Sequence, residues 1–240
     1  MDGTFKSCPR PYSQFFTIHG LYFERVIPFV MALMTSKTVG AYRQVLHHIK
    51  EKVREVTGHD LSPEMIVSDF EVSIISSNET EFPDANIAGC YFCQSFHSTQ
   101  QLIGQYPALQ EFFEYLERNY VAAGDVTFPI PMWNVYNRNT DTRTNNHVEG
   151  FHQRWNNTIG RAHPPLWFFL QRMKDEQKTV EQTLASVARG DPPPPRRRKW
   201  RELERRITRL RQEYVDGRRS LDRYWCAVVH AIKTFVPHAE

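Results

Sequence analysis

Apolar residues change spacing repeatedly along the chain, and each change predicts a change of element. Gln14–Tyr22 (QFFTIHGLY) and Val26–Leu33 (VIPFVMAL) are rich in aromatic and β-branched residues and are parted by a short break, Phe23-Glu24-Arg25, which predicts a two-stranded hairpin. Phe5 and Lys6 end an earlier strand, with Pro9 to Pro11 as the connecting loop. Pro28 has no N–H to give a ladder, so its strand belongs at a sheet edge. Tyr42, Val45, Leu46, Ile49, Val53 and Val56 then recur every three to four residues, predicting a helix over 38–56 with Thr38 as its cap and Gly58 just past its end. Met65–Asp69 is a short apolar run that closes on an acid, as in a buried parallel strand reached by a helical crossover. A helix over 71–79 and a strand over 86–92 follow.

After residue 97 the signals are helical. Leu109, Phe112, Phe113, Leu116 and Tyr120 mark one helix, 124–141 is mixed loop, and Val148, Phe151, Trp155 and Ile159 mark a helix over 146–159. A longer stripe runs from Leu166 to Val187. Four prolines, Pro192–Pro195, make a stiff boundary. Beyond it, Trp200, Leu203, Ile207, Leu210 and Tyr214, then Leu221, Trp225, Val228, Ile232 and Phe235, predict a helical hairpin turning at Asp216-Gly217. The expected fold class is therefore α/β: a mixed sheet, antiparallel in strands one to three and parallel in strands four and five, with helices on its faces. The expected division is 1–190 as the main domain with a helical insertion at about 98–140, 191–195 as a proline linker, and 196–240 as a basic helical hairpin.

The chain has 240 residues, 40% hydrophobic and 24% charged, which excludes wholesale disorder. No apolar run reaches the ~18–20 residues of a membrane span. Met1-Asp2-Gly3-Thr4 does not begin a signal peptide, so an intracellular protein with free thiols is expected, and four cysteines do not make a disulfide framework. Residues 191–240 hold 13 Lys/Arg against 7 Asp/Glu, a net +6, whereas the first 190 residues hold 17 against 20, a net −3. A basic end on a mildly acidic body points to a polyanion, nucleic acid first. Arg196-Arg197-Arg198-Lys199 is the densest cluster, read as phosphate contacts or a nuclear-import signal, or equally as a solvated helix start.

Three acids stand out. Asp2 heads a strand-to-turn segment, Asp69 ends a buried apolar strand, and Glu149 lies on a helix beside Val148. An acid at the carboxyl end of a buried strand is costly unless paired or metal-bound, and such strand ends are where α/β sheets place their sites. If the three converge they form a hard oxygen cage for Mg²⁺ or Mn²⁺; otherwise Asp69 is a helix cap, Asp2 a turn residue and Glu149 a surface acid. His152 lies three residues after Glu149, on its face, and contacts either the acid or a DNA phosphate, unless it is simply solvated or locally bonded. Arg143, Asn145 and Asn146 precede that helix as caps or phosphate ligands.

Asp2-Gly3-Thr4-Phe5-Lys6, Gln14–Gly20, Lys37, Ser68-Asp69-Phe70-Glu71, Phe82-Pro83, Gly89-Cys90-Tyr91-Phe92 and Arg143-Thr144-Asn145-Asn146-His147-Val148-Glu149-Gly150 occur in that order. Together they resemble the MULE (Mutator-like element) transposase domain, over roughly residues 1–190. The resemblance implies a ribonuclease-H-like fold, a DDE site in which Asp2, Asp69 and Glu149 bind two Mg²⁺ or Mn²⁺ ions, and DNA strand cleavage and transfer without a covalent enzyme intermediate. It implies DNA as partner, a homo-oligomer, and a nuclear location. Arg143, Asn146, His152, Arg196, Arg197, Arg198 and Lys199 are the candidate DNA contacts. The family pattern has Cys-x-x-His after the fifth strand. Here Cys90 matches, Cys93 replaces the His, and His97 follows, a spacing that suits zinc with a fourth ligand or leaves Cys90 as a small core residue. Asp2 is the second residue, so the first strand is truncated against that pattern; the expectation is a DDE-type transposase domain that is a fragment, an inaccurately predicted gene product or a domesticated remnant, its acids retained and its turnover weak or absent. The alternatives are a catalytically inactive DNA-binding or protein-interaction module, and a ribonuclease-like hydrolase.

Overall fold

Strand alternation organises the first part of the chain. β1 (Asp2–Thr4), β2 (Gln14–Tyr22) and β3 (Arg25–Met34) pair antiparallel in that order, with Asp2 opposite Thr17 and Phe15 opposite Leu33. Successive side chains on a strand leave on opposite faces. Phe15 therefore packs with Phe151, Trp155, Ile159 and Phe169, while its neighbour Phe16 packs with Met34, Tyr42 and Ile74 on the other side. β3 is at the edge, as Pro28 requires, and the register slips there: Ile18 faces Val30 but His19 faces Pro28, leaving Phe29 as the extra residue. The Phe29 ring lies across Gly20, where any β-carbon would collide with it.

The computed structural model describes residues 1–89, 110–121, 126–133, 146–194 and 198–235. The chain divides into two compact units, Met1–Asp191 and Pro192–Glu240. In the first, α1 (Val39–Thr57) starts on Thr38, whose hydroxyl accepts the Ala41 N–H at 3.3 Å, and ends on Gly58 in the left-handed conformation. β4 (Met65–Ser68), α2 (Val72–Glu81) and β5 (Asn86–Gly89) follow, with β4 and β5 parallel. The helix cap after β4 is Glu71, not Asp69. Glu81, at the end of α2, is almost buried and is clamped to α1 by Arg43 (2.9 Å) and Lys50 (3.4 Å).

The strands do not form one continuous ladder as the sequence led us to expect. They make a three-stranded antiparallel sheet and a two-stranded parallel sheet. The main-chain nitrogen of Met1 donates to the Val67 carbonyl at 2.7 Å, which sets β1 beside β4. With a first strand only three residues long, one hydrogen bond takes the place of a ladder. Met1 and Ile18 also share apolar contacts with the Leu46, Ile66 and Phe82 cluster.

The helical stretches described between β5 and residue 140 are α3 (Gln110–Leu116), which widens into a π-helical turn over Glu117–Val121, and a single turn, α4 (Ile130–Trp133). α5 (Asn146–Ile159) and α6 (Leu166–Ala188) complete the first unit. The second unit is a hairpin of α7 (Arg198–Val215) and α8 (Leu221–Phe235), turning at Gly217 with positive φ. Its core departs from the predicted stripe on α8: Tyr224, stacked on Tyr214 at 5.3 Å, and Ala231 are buried where Trp225 and Ile232 were expected, and Leu221 is exposed. No helix among the described residues is long and apolar enough to cross a membrane.

Candidate functional site

β1, β2 and α5 meet on one face of the antiparallel sheet. On β1 the residues of that face are Asp2 and Thr4; on β2 they are Phe15, Thr17 and His19. α5 is pinned against them by its apolar side, since Val148, Phe151, Trp155 and Ile159 are all buried as their spacing predicted. It is braced from behind by Arg154, which gives two hydrogen bonds of 2.8 Å to the buried Glu176 of α6. Its polar residues then reach the strands. His152 Nδ1 lies 3.2 Å from Asp2 Oδ2, its Nε2 lies 2.9 Å from the Thr17 hydroxyl, and the Asn156 amide donates to the Thr4 hydroxyl at 3.3 Å.

The relay continues one residue pair further. His19 Nε2 is 3.1 Å from the same Thr17 hydroxyl, and its ring stands edge-on to Phe151. The Nδ1–H of His152 donates to Asp2, and the Thr17 hydroxyl, between His152 Nε2 and His19 Nε2, accepts from one ring and donates to the other. Burial holds His19 neutral, pushing its pKa down to about 3, and the Met1 ammonium and His152 act in the same direction.

Asp69 comes to Asp2 from the carboxyl end of β4. Burial works to raise the Asp2 pKa, but the hydrogen bond and charge of His152, the Gly3 N–H at 2.6 Å and a hydrogen bond shared with the Asp69 side chain outweigh it, so the net direction is down. The Met1 ammonium feels both acids, though burial dominates and lowers its pKa. Phe70 fixes the strand end behind Asp69 by packing its ring directly on Gly89, which leaves no room for a β-carbon. Glu71 points elsewhere, accepting from the Tyr42 hydroxyl at 2.9 Å and pairing with Lys37 at 3.5 Å.

The sequence-predicted residues thus fall into three groups. Asp2, Asp69 and His152 are brought together. Glu149 is in the first turn of α5, exposed, on the face of His152 and one turn from it. His152 was expected to contact Glu149 or a phosphate, or to be solvated or locally bonded; it is buried, and its ring nitrogens are engaged by Asp2 and Thr17 instead of Glu149. Asn146 opens α5, and Arg198 is exposed and paired with Glu202 at 2.6 Å. Lys199 is in α7, and nothing is described of its side chain. Arg143, Arg196 and Arg197, and the zinc candidates Cys90, Cys93 and His97, lie outside the described residues. Thr17, His19 and Asn156 were missed. Alternation from Phe15 puts Thr17 and His19 on the α5 side, and Asn156 is four residues from His152, so both signals were present.

Among the described residues, no three His, Cys, Asp or Glu side chains cluster closely enough to hold a metal ion. The donor set that is assembled, two adjoining carboxylates, has the hard oxygen chemistry of a Mg²⁺ or Mn²⁺ site but supplies two of the three expected ligands. A cavity of about 460 Å³ lies at the opposite end of the parallel strands, where Lys50 pairs with Glu81 and Arg54 with Asp60.

Residues 1–95 match the family model of the MULE transposase domain. The match takes in Asp2, the β2–β3 hairpin, Lys37, Asp69 and the strand that follows; it stops short of Glu149 and α5. No curated protein and no solved structure gives a significant match to the chain.

Proposed function

We propose that the first unit is a DDE-type transposase domain of ribonuclease-H-like fold, acting in metal-dependent cleavage and transfer of DNA strands. What carries the reading is the meeting of Asp2 and Asp69, 67 positions apart in sequence, inside the segment that matches the MULE domain. In this reading Asp2, Asp69 and Glu149 hold two Mg²⁺ or Mn²⁺ ions. Such ions, when bound, supply Lewis-acid stabilisation for displacement at a phosphodiester. The chain's own residues do the positioning. The Gly3 N–H and His152 fix both oxygens of Asp2, Thr17 and His19 fix the ring of His152, and Phe70 on Gly89 sets the strand end that carries Asp69. α5 carries Glu149 one turn from His152, so its approach to the pair depends on how that helix is seated. DNA is the partner, a homo-oligomer the working form and the nucleus the place of action.

The test is nicking or joining of a supercoiled plasmid by the full chain with Mg²⁺ or Mn²⁺. Activity that disappears in Asp2→Asn, Asp69→Asn and Glu149→Gln supports the assignment. A second reading, an inactive DNA-binding or protein-interaction module derived from a transposase, draws support from the exposure of Glu149 and the two-carboxylate cluster. DNA binding with no strand cleavage under either metal decides for it.

A further inference from the structure

The second unit contains a row of exposed arginines on the side of α7 away from its core. Leu203 and Leu210 turn one side of α7 into the hairpin core. At 100° per residue the opposite side carries Arg198, Arg201, Arg205 and Arg209, and all four are exposed. The row runs straight along the helix for about 16 Å at 1.5 Å per residue. Its ends are held by acids one turn on, Arg198 by Glu202 at 2.6 Å and Arg209 by Glu213 at 3.6 Å, and Glu213 is fixed in turn by Arg219 at 2.6 Å. Among the described residues, Arg201 and Arg205 in the middle make no ion pair.

This arrangement works against the helix. Arg201 and Arg205, and Arg205 and Arg209, are like charges four residues apart, and cations in the first turns oppose the helix dipole. At its centre, Arg201 and Arg205, the row would gain from an external anion. Guanidinium groups grip phosphate oxygens in a planar fork. The other residues on this face, Thr208 and Gln212, offer no ring on which an unpaired base would stack. A rigid straight line of cations fits a regular array of phosphates better than a flexible one.

We infer that the outward face of α7 is a binding surface for the phosphate backbone of duplex DNA, centred on Arg201 and Arg205 and indifferent to base sequence. The inference rests on the reading of DNA as partner, but it uses other residues than the acid pair, and its test does not involve strand cleavage.

The experiment measures binding of the full chain to a fluorescein-labelled duplex by anisotropy as salt rises from about 50 to 200 mM. Arg201→Gln/Arg205→Gln should flatten the plot of log affinity against log salt by about 1.8, roughly 0.9 per arginine, and equally for unrelated duplex sequences. Lys52→Gln/Arg54→Gln on α1 removes the same charge elsewhere and should leave the slope unchanged. Glutamine keeps helix propensity, and circular dichroism checks that both variants remain folded. The inference is overturned if the wild-type chain does not bind duplex, if the α7 variant keeps its slope, if both variants lose slope equally, or if a single strand of the same sequence binds as tightly with the same loss.

Discussion

Trp155 is the residue on which the seating of α5 turns, and truncating it to alanine is the sharpest stability experiment. It is 1% exposed, stacked on Phe15 at 4.9 Å, edge-on to Phe169 at 5.3 Å and parallel to Phe151 at 6.0 Å. Removing a buried tryptophan leaves a cavity and costs about 3–5 kcal/mol, a large share of the ~5–15 kcal/mol that holds a domain folded. The indole N–H, however, is buried without a hydrogen-bond partner among the described residues. An orphaned donor of this kind costs about 1–3 kcal/mol. Trp155→Phe keeps the aromatic stacking and removes the orphan, so its net cost should stay under about 1.5 kcal/mol. Urea unfolding followed by far-UV circular dichroism reads both, with a shifted midpoint and an unchanged slope. If Trp155→Ala costs less than about 1 kcal/mol, or Trp155→Phe costs as much as the alanine, the packing account of α5 is wrong.

Four further outcomes follow from the site. His152→Ala removes the partner of both Asp2 and Thr17 and should cost about 1–3 kcal/mol in the same urea assay; a cost near zero would mean the relay does not hold β1 to α5. Between the usual histidine value of about 6.5 and the folded value of about 3, His19 is protonated only in the unfolded chain, so stability should fall as pH falls through that range and His19→Gln should flatten the fall. The lowered Asp2 pKa acts at the acid end: its stabilisation is present above the unfolded value of about 3.9 and is lost as pH drops through the folded one, and Asp2→Asn should remove that step from the acid-unfolding curve. Gly89→Ala drives a β-carbon into the Phe70 ring and should cost about 1–3 kcal/mol by thermal unfolding, whereas an unchanged midpoint would show that the strand end beside Asp69 is loosely held.

Local features were readable because they depend on neighbours in sequence. The Thr38 cap, the Gly58 stop, the edge position forced by Pro28 and the buried stripe Val148–Phe151–Trp155–Ile159 all follow from spacing and residue type. The acids Asp2 and Asp69 were legible for a different reason, since they are charges placed where an apolar strand has no need of them. The relay through Thr17 and His19 was less so. Thr17 reads as an ordinary β-branched strand residue until the strand pairing puts it opposite Asp2, and that register is non-local. The split into two ladders was hidden for the same reason, because it depends on how little of β1 reaches β4, with the Met1–Val67 bond where a ladder was expected. Phe29, an extra residue in the β2–β3 register, shows how a proline and a facing glycine together reshape a strand that periodicity alone reads as regular.

The central claim is that Asp2 and Asp69 form one divalent-cation site. Titrating the full chain into Mn²⁺ and following the loss of the free-ion electron paramagnetic resonance signal tests it without any need for catalysis. Uptake of Mn²⁺ that weakens more than about tenfold in both Asp2→Asn and Asp69→Asn, in variants that remain folded, is the predicted result. A wild-type chain that takes up no Mn²⁺, or an Asp69→Asn chain that binds it as tightly as the wild type, would contradict it.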